Sequence, residues 1–157
     1  KNANAFANLG DLYREKDDHR SAIANYTKAI AIDPDLTLAY IRRGWEHYNL
    51  GQFVASVADY TTALKQNPDD AEVLLYRARS YVALKQTKDA VNDLKRALVI
   101  DPDYAEAKAE LVLISKTTRN KRWATITAFY LCDLCRRQFL AKGGHIALAS
   151  FDNTRHF

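Results

Sequence analysis

The chain has 157 residues, of which 48% are hydrophobic, with only 5 Gly and 3 Pro. That composition excludes global disorder and points towards helix, and no run of about 18 apolar residues offers a membrane span. The net charge of +4 is unevenly placed: 14 Lys and Arg meet 15 Asp and Glu over residues 1–104, whereas 9 meet 4 over 105–157. The front is therefore nearly neutral and the C-terminal third basic, which suggests two regions with different roles. Methionine is absent even at position 1, as expected of a segment of something longer. No signal segment is visible, and a cytoplasmic or other reducing compartment is the expectation. There is no phosphate-binding glycine loop and no Ser/His/Asp arrangement, and the four histidines (19, 47, 145 and 156) are scattered. The chain is expected to be neither an enzyme nor dependent on a cofactor.

The prolines Pro34, Pro68 and Pro102 recur at a constant 34-residue interval, in the frames AIDPDL, KQNPDD and VIDPDY. Other columns keep the same interval. Phe6, Tyr40 and Leu74 form one; Leu9-Gly10, Arg43-Gly44 and Arg77-Ala78 form the next. Ala22, Ser56 and Ala90 are small, Tyr26, Tyr60 and Leu94 are large, and Ala29, Ala63 and Ala97 are identical. Within each unit, apolar residues recur at helical spacing in two runs, such as Phe6-Leu9-Tyr13 and Ala22-Ile23-Tyr26-Ala29-Ile30. The breaks at EKDDHR, LGQF and KQTK predict two antiparallel helices per unit, joined by a tight turn. Small residues in one helix let its partner approach, large aromatics fill the space beside them, and proline ends each unit. Asp69 with Glu72, and Asp103 with Glu106, read as capping-box-like helix starts.

This pattern resembles the tetratricopeptide repeat family over residues 3–104, as units 3–36, 37–70 and 71–104. Departures are few: His47 stands in the column of Tyr13 and Tyr81, Ala78 replaces a usual Gly, and Asp17 and Lys85 replace the turn glycine kept at Gly51. The resemblance implies an all-α, right-handed superhelix of antiparallel helix pairs, with capping helices at the C-terminal end. It also implies a protein-interaction scaffold whose concave face, lined by the first helix of each pair, binds an extended peptide. The inward positions would be Asn4, Ala7, Asn8, Asp11, Arg14 and Glu15 in unit one. Unit two supplies Leu38, Ile41, Arg42, Trp45, Tyr48 and Asn49, and unit three Glu72, Leu75, Tyr76, Arg79, Val82 and Ala83. Of these, Asn8, Asp11, Arg42, Trp45, Tyr48, Tyr76 and Arg79 are the candidate peptide contacts. Two guanidiniums among aromatics would suit a partner with acidic and apolar side chains, while the alternative for both arginines is a solvated helix face. One subgroup of the family clamps the terminal carboxylate of heat-shock chaperones with Lys, Asn and Arg. Here the corresponding positions hold Ala7, Asp11, Arg42, Glu72 and Tyr76, so no such clamp is expected, and Asp11 would repel a carboxylate.

Beyond the third proline, an array needs a terminal cap. Ala105, Ala109, Val112 and Ile114-Ser115, with Leu111 in the Leu9 column, suit a capping helix that takes the array to residue 118. Residues 119–142 read as a further basic and apolar helix ended by Gly143-Gly144, and 143–157 as a loose tail. YLCDLCRRQF (130–139) contains both cysteines. It matches the front half of a two-Cys two-His finger, but Leu148 stands where the first His should fall. A site of Cys132, Cys135, His145 and His156 is the metal alternative. A redox pair would normally open a helix after a strand. Burial as small apolar residues on the face of Phe139 is the plainer expectation. Arg119, Lys121, Arg122, Arg136, Arg137 and Lys142 give either a solubilising face or a nucleic-acid contact. The rival functions are thus a nucleic-acid-associated module with a zinc-stabilised C-terminal region, or a regulatory segment of a larger enzyme.

Overall fold

The computed structural model describes residues 2–118, which form helices joined by turns and short irregular connections. The helices are α1 (Ala3–Arg14), α2 (His19–Ile32), α3 (Thr37–Asn49), α4 (Phe53–Gln66), α5 (Ala71–Ala83) and α6 (Thr87–Ile100). A seventh, α7, runs from 105 to 118, where the described residues end. The further helix expected at 119–142, the tail, the cysteines and the basic cluster lie outside the described residues.

Consecutive helices pack together, most closely within the pairs α1–α2, α3–α4 and α5–α6, and α2 and α4 also contact the next pair. The result is an all-α solenoid of helix pairs, as the repeat period predicts. The columns explain why. Ala22, Ser56 and Ala90 are fully buried, as are Tyr26, Tyr60 and Leu94, while Ala29, Ala63 and Ala97 are at most 1% exposed. An added Cβ at Gly10 would lie 2.5 Å from the Tyr26 ring, and one at Gly44 would lie 3.0 Å from the Tyr60 ring. Where unit three has Leu94 instead of Tyr, the facing residue is Ala78. The size of one helix residue is matched by its counterpart in the second helix of the same pair.

The intra-pair turns share one backbone solution. Asp17 (φ 56°), Gly51 (φ 73°) and Lys85 (φ 62°) occupy the same position in successive units, and all adopt the left-handed conformation. Only the middle one is glycine, so the other two carry a strain of about 1 kcal/mol.

A polar ladder runs beside this apolar one. Arg43 grips Asp59 with two bonds (2.9 and 2.7 Å) and reaches Thr27 of the preceding pair at 3.0 Å. Arg77 repeats this on Asp93 (2.7 and 2.8 Å) and Thr61 (3.1 Å). Each guanidinium therefore joins its own pair to the one before it. Unit one has Leu9 and Asn25 in these columns. Glu46 is fully buried, and its Oε2 meets His19 Nδ1 of the preceding pair at 2.6 Å.

Two local expectations change. Asp70, not Asp69, caps α5, accepting from the Val73 amide at 3.1 Å. Asp69 instead pairs with Arg96. Two adjacent aspartates can serve one helix start, and here the helix begins one residue later than the capping-box spacing implied. In α7 the array-facing residues are Ala107, Leu111 and Ile114, spaced four and three apart, whereas Ala105, Ala109, Val112 and Ser115 are exposed. Ala107 continues the buried column of Ala39 and Val73, which sets this phase.

Candidate functional site

The first helices α1, α3 and α5 share one face. A cavity of about 480 Å³ opens there, lined by Arg14, Leu38, Ile41, Arg42, Trp45, Asp70, Glu72, Val73 and Tyr76. A second of about 240 Å³ adjoins it through Trp45 and continues along Tyr48, Arg79, Val82 and Glu110. Of the residues expected to contact a peptide, Arg42, Trp45, Tyr48, Tyr76 and Arg79 line these cavities. Asp11 lies beneath Arg42, and Asn8 is exposed and lines neither cavity. Ala7 and Leu75, placed inward by phase alone, are buried in the helix packing.

One rule orders the floor of this face: a residue of one first helix meets the residue 31 positions later in the next. Asp11 accepts a hydrogen bond from Arg42 Nη1. The Trp45 and Tyr76 ring centroids are 5.2 Å apart, tilted by 58°. Arg79 Nε donates to Glu110 Oε1 at 2.9 Å. An ion pair, an aromatic pair and a second ion pair thus succeed one another along the groove. The flanking junctions are neutral and satisfied, and the middle one presents ring surface.

The aromatic centre extends outward and downward. Trp45 stacks on Tyr48 at 6.1 Å, and Tyr48 meets Phe53 edge-on at 5.4 Å. Beneath, the Tyr60 ring lies 5.9 Å from Tyr76. In unit one, the buried Tyr26 hydroxyl donates to Asp11 at 2.7 Å. In unit two, Trp45 occupies the equivalent of Asp11, and the buried Tyr60 hydroxyl has no hydrogen-bond partner among the described residues. Placing Trp45 at the groove centre therefore costs that hydroxyl its acceptor, a loss of about 1–3 kcal/mol. Burial raises the Tyr60 phenol well above its usual range, with the nearby Ser56 hydroxyl opposing. Burial, and then the hydrogen bond to Glu72, pushes Tyr76 up to about 12.

Two family models, both described as tetratricopeptide repeat, match residues 3–36 and 41–105. The chain belongs to the tetratricopeptide repeat family. Solved structures agree with this membership. The first tetratricopeptide domain of Spaghetti (RPAP3), bound to the HSP90 peptide SRMEEVD, is 26% identical with a TM-score of 0.72. That match covers 74% of this chain and 93% of that one. The first such domain of human RPAP3 is also 26% identical, with a TM-score of 0.71, covering 76% of this chain and 94% of that chain. The Arabidopsis OM64 domain shares the fold at 23% identity and a TM-score of 0.70, covering 73% and 95%. No curated protein sequence matches the chain. The cavities described above open on the face of the first helices α1, α3 and α5.

Proposed function

We propose that the chain is a protein-interaction module that binds an extended peptide segment along α1, α3 and α5, anchored at Trp45 and Tyr76. The supporting observation is the half-buried aromatic junction between two closed ion pairs: it presents ring surface that the fold itself does not cover. Large aromatics with part of their surface free contribute strongly to interfaces. The peptide held by the RPAP3 relative gives a precedent for such an occupant. Its acidic tail is not the ligand proposed here. The clamp positions hold Ala7, which is buried, Asp11 and Arg42, which are paired with each other, and Glu72 with Tyr76, which share a hydrogen bond.

Binding is tested by selecting ligands for the whole chain from a random dodecapeptide library and measuring their affinity calorimetrically. Trp45→Ala and Tyr76→Ala should each weaken binding by at least tenfold, with helicity by circular dichroism unchanged. Affinity unchanged from the parent chain in both variants would overturn the groove assignment. An HSP90-type peptide ending in EEVD should bind at least tenfold more weakly than the selected ligands.

A further inference from the structure

We infer that the centre of the groove takes a lysine or arginine side chain of the partner, with its stem along Trp45 and its charge towards Glu72. This rests on the groove reading above. Most groove cations already have an acidic partner. Arg42 is neutralised by Asp11, and Arg79 by Glu110. Arg14, on the α1 wall, lies 4.0 Å from the same Asp11. The two arginines that the repeat phase offered to an acidic ligand, Arg42 and Arg79, are thus occupied, and Arg14 is held more loosely.

The opposite wall is different. Asp70 and Glu72 both line the larger cavity, and among the described residues no cation lies within ion-pair range of either. Their hydrogen bonds come from neutral groups. Asp70 accepts from the Val73 amide and, at 3.4 Å, from Asn67; Glu72 accepts from the Tyr76 hydroxyl. Two carboxylates therefore line the cavity of Trp45 and Tyr76 with no cation in ion-pair contact among the described residues, the Arg42 charge in the same cavity being held by Asp11. Tilted aromatic faces attract a cation through their quadrupoles, and a long basic side chain can lay its methylenes on a ring while its head reaches an acid. A carboxylate at the same point would meet like charge and negative ring faces. Lys or Arg satisfies ring, cavity and charge together, which an apolar side chain would not.

The test uses the same peptide selection on the whole chain. Selected ligands should be enriched in Lys and Arg over Asp and Glu, and Glu72→Gln should weaken them at least fivefold. That variant keeps an acceptor for the Tyr76 hydroxyl, and Asp70 is left intact as the α5 cap. Replacing the key Lys or Arg of a ligand by norleucine should cost a similar factor in the wild type and almost nothing further in Glu72→Gln. Ligands that depend on Trp45 but show no basic enrichment, or bind Glu72→Gln unchanged, would overturn the cation assignment and leave the groove standing. Absence of any Trp45-dependent ligand would overturn both.

Discussion

Gly10→Ala should destabilise the array, although alanine is the better helix former. The exchange favours the helix by about 1 kcal/mol. Against it stands the new methyl group, 2.5, 2.7 and 2.9 Å from three carbons of the Tyr26 ring. Those separations require the ring to move, but Tyr26 is fully buried and its hydroxyl is held by Asp11 at 2.7 Å. Overpacking of this kind costs about 1–3 kcal/mol, and disturbing the hydrogen bond about 1 kcal/mol more. The net expectation is a loss of about 1–3 kcal/mol, read by urea denaturation with circular dichroism. Gly44→Ala provides the internal control. There the closest approach is 3.0 Å, and among the described residues the Tyr60 hydroxyl has no hydrogen-bond partner to hold the ring in place. A shift of a few tenths of an ångström suffices, so helix propensity should bring the net change to within about 0.5 kcal/mol of zero. Adding Tyr26→Leu to Gly10→Ala recreates the Ala78–Leu94 pair, and should give a favourable coupling of about 1–2 kcal/mol. Gly10→Ala as stable as the parent, or no coupling with Tyr26→Leu, would refute the size-matching argument.

Arg77→Leu should cost about 2–4 kcal/mol, because Asp93 is then left buried and unpaired. Adding Asp93→Asn, which recreates the Leu9 and Asn25 pair of unit one, should recover more than half in the same denaturation assay. Lys85→Gly should stabilise by about 0.5–1 kcal/mol by relieving the left-handed backbone at φ 62°. High pH should unfold the array. Tyr26, Tyr60 and Tyr76 are all raised, Tyr76 to about 12, so the fold holds these protons more tightly than the unfolded chain does. That stability is complete below about pH 10, the unfolded phenol value, and is lost as pH rises towards and beyond 12. Phenolate ultraviolet absorbance should show these three tyrosines ionising together with the loss of helicity.

Much of this fold was legible because a single repeat interval governs it. The buried column of Ala29, Ala63 and Ala97 and the left-handed turn column of Asp17, Gly51 and Lys85 both follow from that interval alone. The first-helix phase also identified Arg42, Trp45, Tyr48, Tyr76 and Arg79 as neighbours on one face. What it did not supply was how they pair. Asp11–Arg42, Trp45–Tyr76 and Arg79–Glu110 share an offset slightly shorter than the repeat, which depends on how far successive pairs are shifted along one another. Without that offset the arginines looked available to an acidic ligand. Paired, they leave Asp70 and Glu72 as the cavity-lining carboxylates with no cation in ion-pair range among the described residues. The polar ladder was hidden for a related reason: Arg43 and Arg77 were read as part of a mixed column with Leu9, while their acids, Asp59 and Asp93, lie in the second helix of each pair. Glu46 carries no periodic signal, since Leu12, Ser80 and Ile114 share its column. Its burial against His19 became visible only in the packed structure.

The central claim is that a partner lies along α1, α3 and α5 across the Trp45–Tyr76 junction. Amide and indole chemical-shift mapping of the isotope-labelled chain, with a selected dodecapeptide added to saturation, tests it most directly. The Trp45 indole should shift most, followed by amides around Arg42, Tyr76 and Arg79, with the outer helices α2, α4 and α6 little changed. A Trp45 indole that stays still while resonances of α2, α4 or α6 move would contradict the account.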